Sequence, residues 1–437
     1  MNTALTATDR VIERIEQIPV RVPFRDVPGR NLRRELPHWR YLELFELELA
    51  CGALGHGEAM LYYMNGPTEQ ATIDRLEGTD VLDVPFDDSL GPGIQIAALD
   101  AIGRAESVPI HRLLGEQVHD STPLAWWCID MPPEDWVHEA GRAIDAGYTT
   151  LKVKGRPWFD LEAQLQALSA SVPDWFDVSI DFNATLHTTE KALDILPTLE
   201  QFPLVSHFET PIEPGATEEY AQLRDALSTP ILLHYGQIDP FEAIVADVCD
   251  GLLLNAAPGA IRKHATVAAQ ADLPAMIQIV GTGISAAFSL HCGGVFEQAR
   301  LPAVNCHQIF ESTLLEDPPE VDSGMASVPD GPGLGVTVNM DAVRSYETDI
   351  PESRPSPARI IETSWPDGRR QYLVPESVNA LLAHARDTEQ MPFFESGVTT
   401  RLITALDDPA VRALYDTVRT EPTLFGPNET PLTTNDT

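Results

Sequence analysis

Lys152 and Lys154 stand two residues apart in the run TTLKVKG (149–155). Of the chain's 29 basic residues, four are lysine and 25 arginine, so this pair holds half of all the lysine. The run has the composition of a strand, and residues two apart on a strand share a face. On a crowded inner face each ammonium disfavours the other's charge, and desolvation adds to the effect. A lysine driven toward neutrality accepts protons. Asp181 and Asn183 end the run DVSIDFN (177–183), and Glu209 lies in SHFETPI (206–212). Carboxylates around a cavity are the hard oxygen ligands that Mg²⁺ takes. Their alternative use is a structural network with Lys152, Lys154 or Arg224. His187, His207 and His234, each taken alone, read as satisfied core or loop histidines.

These residues fall at the ends of recurring apolar runs, which set the elements that must position them. Besides the three just named, the runs are 124–131, 230–236, 251–257, 275–281 and 303–309. Each has strand length and β-branched or aromatic character. Helical spacing fills 133–147, 160–172, 189–202, 217–228 and 259–273. Eight strands alternating with helices predict a parallel sheet with right-handed crossovers. Eight is the number that closes a (β/α)8 barrel, whose chemistry lies at the carboxyl ends of the strands. A doubly wound open sheet is the alternative, weakened by the lack of G-x-G-x-x-G after the first strand. The strand ends then carry Lys152 and Lys154, Asp181 and Asn183, Glu209, His234 and Tyr235, Asn255, and His307 with Gln308. The expected domains are an α+β piece over 1–120, the barrel over 121–330, and a C-terminal return and extension over 331–437. That last part holds a hairpin near 358–374, two short helices and a disordered tail at 425–436.

Acidic residues number 66 and the formal net charge is −37. Phosphate polyanions and anionic membranes are repelled by such a surface, which argues against nucleic acid or membrane partners. An acidic, lysine-poor composition suits a cytosol crowded with salt, where screening relieves self-repulsion. The expectation is a halophilic, cytoplasmic protein. Five cysteines scattered singly fit reduced, buried thiols. The first twenty residues carry charges throughout and no apolar stretch, unlike a signal peptide.

Lys-x-Lys on the second strand, Asp-x-Asn on the third and Glu-x-Pro on the fourth, in this order, resemble the enolase superfamily. The closer similarity is to its mandelate racemase and muconate lactonizing branch, over roughly residues 10–340. Residues 93–115 resemble the end of that branch's capping domain, and 328–336 its return strand after the barrel. The resemblance implies an isomerase or lyase. A divalent metal, usually Mg²⁺, binds a substrate carboxylate, a strand-end base removes the adjacent proton, and an enediolate forms. It further implies Lys154 as base, Lys152 tuning it or touching the carboxylate, and Asp181 and Glu209 as metal ligands with Asn183 beside them. The lid would be the arginine-rich loop 23–38, with Arg25, Arg30, Arg33 and Arg34 available to an anionic small-molecule substrate. A homodimer or octamer is implied as well.

The departures from that branch bear on the reaction. The third metal ligand, an acid in the family, aligns with His234 and Tyr235. Imidazole suits Mn²⁺, Fe²⁺ or Zn²⁺ better than Mg²⁺, and an incomplete site leaves room for no metal at all. The second base aligns with Asn255 and an eighth-strand acid with Gln308. Only one face of the substrate carbon is equipped, which favours dehydration, cycloisomerisation or an epimerisation with another second group over two-base racemisation. His187, His234 or His307 would supply a missing acid. Two other readings stand: a barrel that binds a ligand without turnover, and a Schiff-base lyase built on Lys154.

Overall fold

The computed structural model describes residues 5–427 and 429, except 65, 214, 216 and 389–392. The chain begins with three antiparallel strands, Ile12–Arg21, Tyr41–Leu49 and Leu54–Met60, paired in that order. Their inner face carries Ile12, Ile15, Phe45 and Leu47, packed under the helix Pro92–Glu106. The helix comes so close that a Cβ on Gly57 would lie 2.1 Å from the Gly93 carbonyl oxygen. Only glycine permits that approach. Residues 26–35, expected as part of an arginine-rich loop, form a helix, Asp26–Glu35, between the first two strands.

The barrel follows. Its eight strands are Trp126–Trp127, Thr150–Lys154, Asp177–Asp181, Val205–Glu209, Ile231–His234, Gly251–Leu254, Ala275–Gln278 and Leu301–Val304. All neighbours pair in parallel and in chain order. The first and last strands meet through a parallel bridge between Leu124 and Ala303, where the Ala125 N–H donates to the Ala303 carbonyl at 2.9 Å. Helices follow the first seven strands, from Pro133–Asp145 to Gly283–Val295. The last of these is buried along nearly its whole length. It has no polar face, so no amphipathic period marks it in the sequence. Its N-terminus is capped from the first domain by Glu58, which accepts from the Thr282 and Ser285 N–H groups at 2.7 and 2.8 Å.

Strand period places the site. Leu151, Val153, Val178, Ile180 and Phe208 are fully buried in the hydrophobic core. The alternate positions, Lys152, Lys154, Ser179, Asp181, His207 and Glu209, then face the barrel axis. Two strands end earlier than the sequence runs suggest. The fifth stops at His234, leaving Tyr235 beyond it, and the eighth at Val304, leaving His307 and Gln308 in a separate 3₁₀ turn.

After the barrel the chain builds a further module. Strands Thr399–Ile403, Ile360–Ser364, Arg370–Leu373 and Thr423–Phe425 form an antiparallel sheet in that order. Helices Val378–Asp387 and Pro409–Val418 accompany it. Apolar contact with Trp158, in the loop after the second barrel strand, seats Ile361, Leu373 and Leu381 against the barrel. The buried Arg359 guanidinium grips Glu35 of the first domain, with Nε 3.2 Å from Oε1. The expected tail at 425–436 starts with an ordered Phe425, and residues 428 and 430–437 lie outside the described residues. Among the described residues no helix is long and apolar enough to cross a membrane.

Candidate active site

Strands two, three and four bring four charges to one place. In register, Lys154 sits opposite Asp181, and Asp181 opposite Glu209. Lys154 Nζ ion-pairs with Asp181 Oδ2 and donates to Asn183 Oδ1 at 3.0 Å. Lys152, deeper on the axis, ion-pairs with Glu209 and donates to Gln278 Oε1 at 3.2 Å. Lys152 and Glu209 are 1% and 0% exposed, so each charge depends on the other for compensation. The two ammonium groups, expected to act on each other, have separate carboxylate partners instead. Asn183 holds a left-handed backbone, φ 46°, which asparagine tolerates. It returns its own N–H to Asp181 Oδ1 at 2.8 Å and accepts from Arg156 Nη2 at 2.7 Å.

Charge compensation decides the protonation of this cluster. Burial by itself raises the Glu209 carboxyl. The Lys152 ammonium, the hydrogen bond and charge of His234, and Lys154 outweigh it and hold Glu209 well below the usual carboxylate range. His207 lies on the same inner face; burial and the Lys152 charge push it down to about 4. It is a neutral imidazole at ordinary pH.

The donor set can be tested against the metal that the resemblance implies. Asp181 Oδ1 accepts from Asn183, and Oδ2 faces Lys154. Glu209 Oε1 faces His234 Nε2 at 3.1 Å, and Oε2 faces Lys152. Every carboxylate oxygen of the pair is engaged by this chain, and two ammonium charges offset two carboxylates. Among the described residues no three His, Cys, Asp or Glu side chains are arranged to hold a metal ion. The third position offers an imidazole nitrogen where Mg²⁺ wants oxygen. Asp181, Glu209 and His234 in this arrangement do not fit Mg²⁺, nor do they form a three-donor site for a softer ion.

Several other expectations are corrected. Arg25 does not face a substrate: its guanidinium grips Glu139 at 3.1 Å and crosses the Trp126 ring at 5.2 Å. Arg30 is held by Asp135, and Arg34 by Asp130 at 2.7 Å, so these lid arginines fasten a helix to the barrel. Gln308 donates to the Ala125 carbonyl at 3.1 Å and helps close the barrel seam. His307 contacts the Tyr148 hydroxyl at 3.2 Å, and burial lowers it to about 4, so it offers no proton to the mouth. Tyr235 stacks on His264 with ring centroids 3.8 Å apart, beside the barrel. His187 faces Glu213 rather than the lysines. Asn255 donates to the Tyr63 hydroxyl at 3.0 Å, and an amide is no base.

Two cavities meet at Tyr63. One, of about 290 Å³, is lined by Lys154, Arg156, Asn183 and His234 at the barrel mouth. The other, of about 430 Å³, lies between the first domain and the barrel and takes Asn255, Glu43 and Glu58. Tyr63 and Gln278 line both. The Tyr63 hydroxyl accepts from Gln278 at 2.9 Å and from Asn255 at 3.0 Å. Sequence reasoning missed Gln278, Tyr63 and Arg156. Gln278 had a signal, as the one polar residue in AMIQIVG (275–281). Tyr63 had none, because it arrives from another domain.

Comparison with known proteins agrees with this fold. Residues 135–342 match the model of the family described as enolase C-terminal domain-like. Muconate cycloisomerase 1 of Rhodococcus opacus is 27% identical over 270 residues, 58% of this chain and 70% of its own length. D-galactarolactone cycloisomerase of Agrobacterium fabrum is 24% identical, over 59% of this chain and 74% of its own. Further relatives are named as a dehydratase and a racemase. The crystal structure of a muconate lactonizing enzyme from Pseudomonas fluorescens superposes with a TM-score of 0.65 at 21% identity. It covers 78% of this chain and 100% of that one, and so shares the fold. Residues 135–342 thus match the enolase C-terminal domain-like family, and the chain is similar in sequence to cycloisomerases, a dehydratase and a racemase and shares the fold of a muconate lactonizing enzyme.

Proposed function

We propose that the chain binds a small organic acid in the 290 Å³ cavity and moves the proton on the carbon beside its carboxylate, with Lys154 as the acid–base group. The observation that carries this reading is Lys154 itself: an amine at a strand end, on the cavity wall, hydrogen-bonded within a carboxylate–amide pair. Relatives named cycloisomerases, a dehydratase and a racemase support the reaction class. In this step Lys154 Nζ acts as the free amine, and its ion-pair partner Asp181 Oδ2 is placed to hold the ammonium that forms. The amine then takes the substrate proton, and the negative charge growing on the carboxylate oxygens is met by Arg156 in the same wall. The donor set does not fit a metal, and the chain's own residues carry the step.

The cavity wall also carries Gln278 and Tyr63, neither of which is a base at ordinary pH; burial, as the leading influence, holds the Tyr63 hydroxyl well above its ordinary range. That contrast with Lys154 supports a one-base outcome, syn loss of water or cycloisomerisation, over two-base racemisation. A second reading, ligand binding without turnover, is favoured by His234 standing where the family carries an acid.

Incubation in D₂O with a panel of 2-hydroxy acids and sugar acids, with and without Mg²⁺ or Mn²⁺, tests the proposal. Proton NMR should show deuterium entering at the carbon beside the carboxylate with the wild type and not with Lys154→Met. Binding without deuterium entry under every condition overturns it in favour of the binding protein. Borohydride added to the same incubations would trap an adduct on Lys154 if Schiff-base chemistry operated instead.

A further inference from the structure

The wall of the Lys154 cavity is completed from far along the chain. Arg354 and, at the start of the helix Val378–Asp387, Ser377, Val378 and Asn379 line it. All four belong to the stretch beyond residue 340, which extends past the part that resembles the family. The segment carrying Arg354 is clamped to the first domain, where the Tyr62 hydroxyl donates to the Pro351 carbonyl at 2.5 Å. Five residues on, Arg359 is locked to Glu35. Arg354 is therefore held over the barrel mouth from both sides.

The cations of this cavity differ in what remains free. Lys154 is engaged by Asp181 and Asn183. Arg156 spends Nη1 on the Gly155 carbonyl at 2.9 Å and Nη2 on Asn183. The acid in the wall, Glu35, is taken by Arg359 and Arg34, and the Glu376 carboxylate acts on Arg354 through its charge without a hydrogen bond to Nε. Arg354 Nε is sealed from solvent and has no hydrogen-bond partner among the described residues. A buried N–H without an acceptor is costly, and a guanidinium offers a planar fork that matches a carboxylate. His38, which shares the wall, is kept neutral by burial and by the Arg354 charge, at about 3, so it adds no competing cation.

We propose that the C-terminal module supplies a substrate-binding arm, in which Arg354 receives a second anionic group at the end of the acid remote from the carbon facing Lys154. The ligand class is a small dicarboxylate or its equivalent. This rests on the reading of the cavity as the substrate site and adds a residue that sets specificity.

Calorimetric titration with matched pairs of acids, malonate, succinate, glutarate and adipate against the monocarboxylates of equal chain length, tests it at fixed ionic strength. At least one diacid should bind the wild type roughly tenfold or more tightly than its monoacid, as a charged hydrogen bond requires. Arg354→Gln should bring that diacid down to the monoacid's affinity and leave the monoacid unchanged, and Arg354→Lys should keep part of the preference. Arg369→Gln, on the exposed hairpin of the same module, is the control and should change nothing. Equal binding of every pair by the wild type, or an undiminished preference in folded Arg354→Gln, overturns the proposal. Lys154→Met should retain the diacid preference, so failure of the proton-transfer reading leaves this result standing.

Discussion

Lys152→Met removes one charge from a pair in which both partners are out of water. Glu209, 0% exposed, would keep only His234 at 3.1 Å as a close partner. Breaking a buried ion pair from one side costs about 3–5 kcal/mol, because the remaining charge is stranded. Replacing both members with apolar groups is close to neutral by comparison, so Lys152→Met/Glu209→Leu should recover most of the loss. The pH dependence follows from Glu209. In the wild type its folded pKa lies below the unfolded value, so its stabilisation is present above that unfolded value, roughly 4.3. It is lost as pH falls through the folded pKa. In the variant, burial becomes the leading influence and pushes Glu209 upward. Ionised Glu209 then weighs on the variant at neutral pH, and protonation relieves it as pH falls. The gap between wild type and variant should be widest near pH 7 and narrow toward about pH 4.5. Urea unfolding followed by tryptophan fluorescence at constant KCl measures this. A loss under about 1 kcal/mol, or the same loss at both pH values, would refute the pairing as the source of stability.

Further outcomes are expected. Titration with Mg²⁺ or Mn²⁺ should give no saturable binding and no change in melting temperature; one ion per chain, lost in Asp181→Asn, would contradict the donor analysis. Arg359→Met leaves the buried Glu35 with Arg34 at 3.6 Å as its remaining ion-pair partner and should cost about 3 kcal/mol, with earlier proteolysis of the module after residue 350; an unchanged digestion pattern would count against that contact as the module's anchor. With a net charge of −37, the unfolding midpoint should rise steadily as KCl is raised toward molar levels; a flat curve would remove the basis for a halophilic protein.

Much of the barrel was readable because its cause is local. Short β-branched runs between amphipathic segments can pair only through helical crossovers, and eight such runs close on themselves. Strand period alone sends Lys152, Lys154, Asp181 and Glu209 to one face, and no tertiary information is needed for that. The helix Gly283–Val295 escaped because complete burial erases the polar face that would reveal its period. The arginines of 23–38 suggested an anion-reading lid, since composition shows charge but not its partner. Arg25 meets Glu139 across 114 positions, which only folding brings about.

The sequence by itself determined the barrel, the shared face of the two lysines and the acids beside them. Only the tertiary structure decided what those charges do. It gave each lysine its own carboxylate, set Tyr63 between two cavities, and carried Arg354 from a C-terminal module to the wall that holds Lys154. The physical reason is that facing is set by backbone period over a few residues. Pairing is set by barrel closure and domain docking, which join residues hundreds of positions apart.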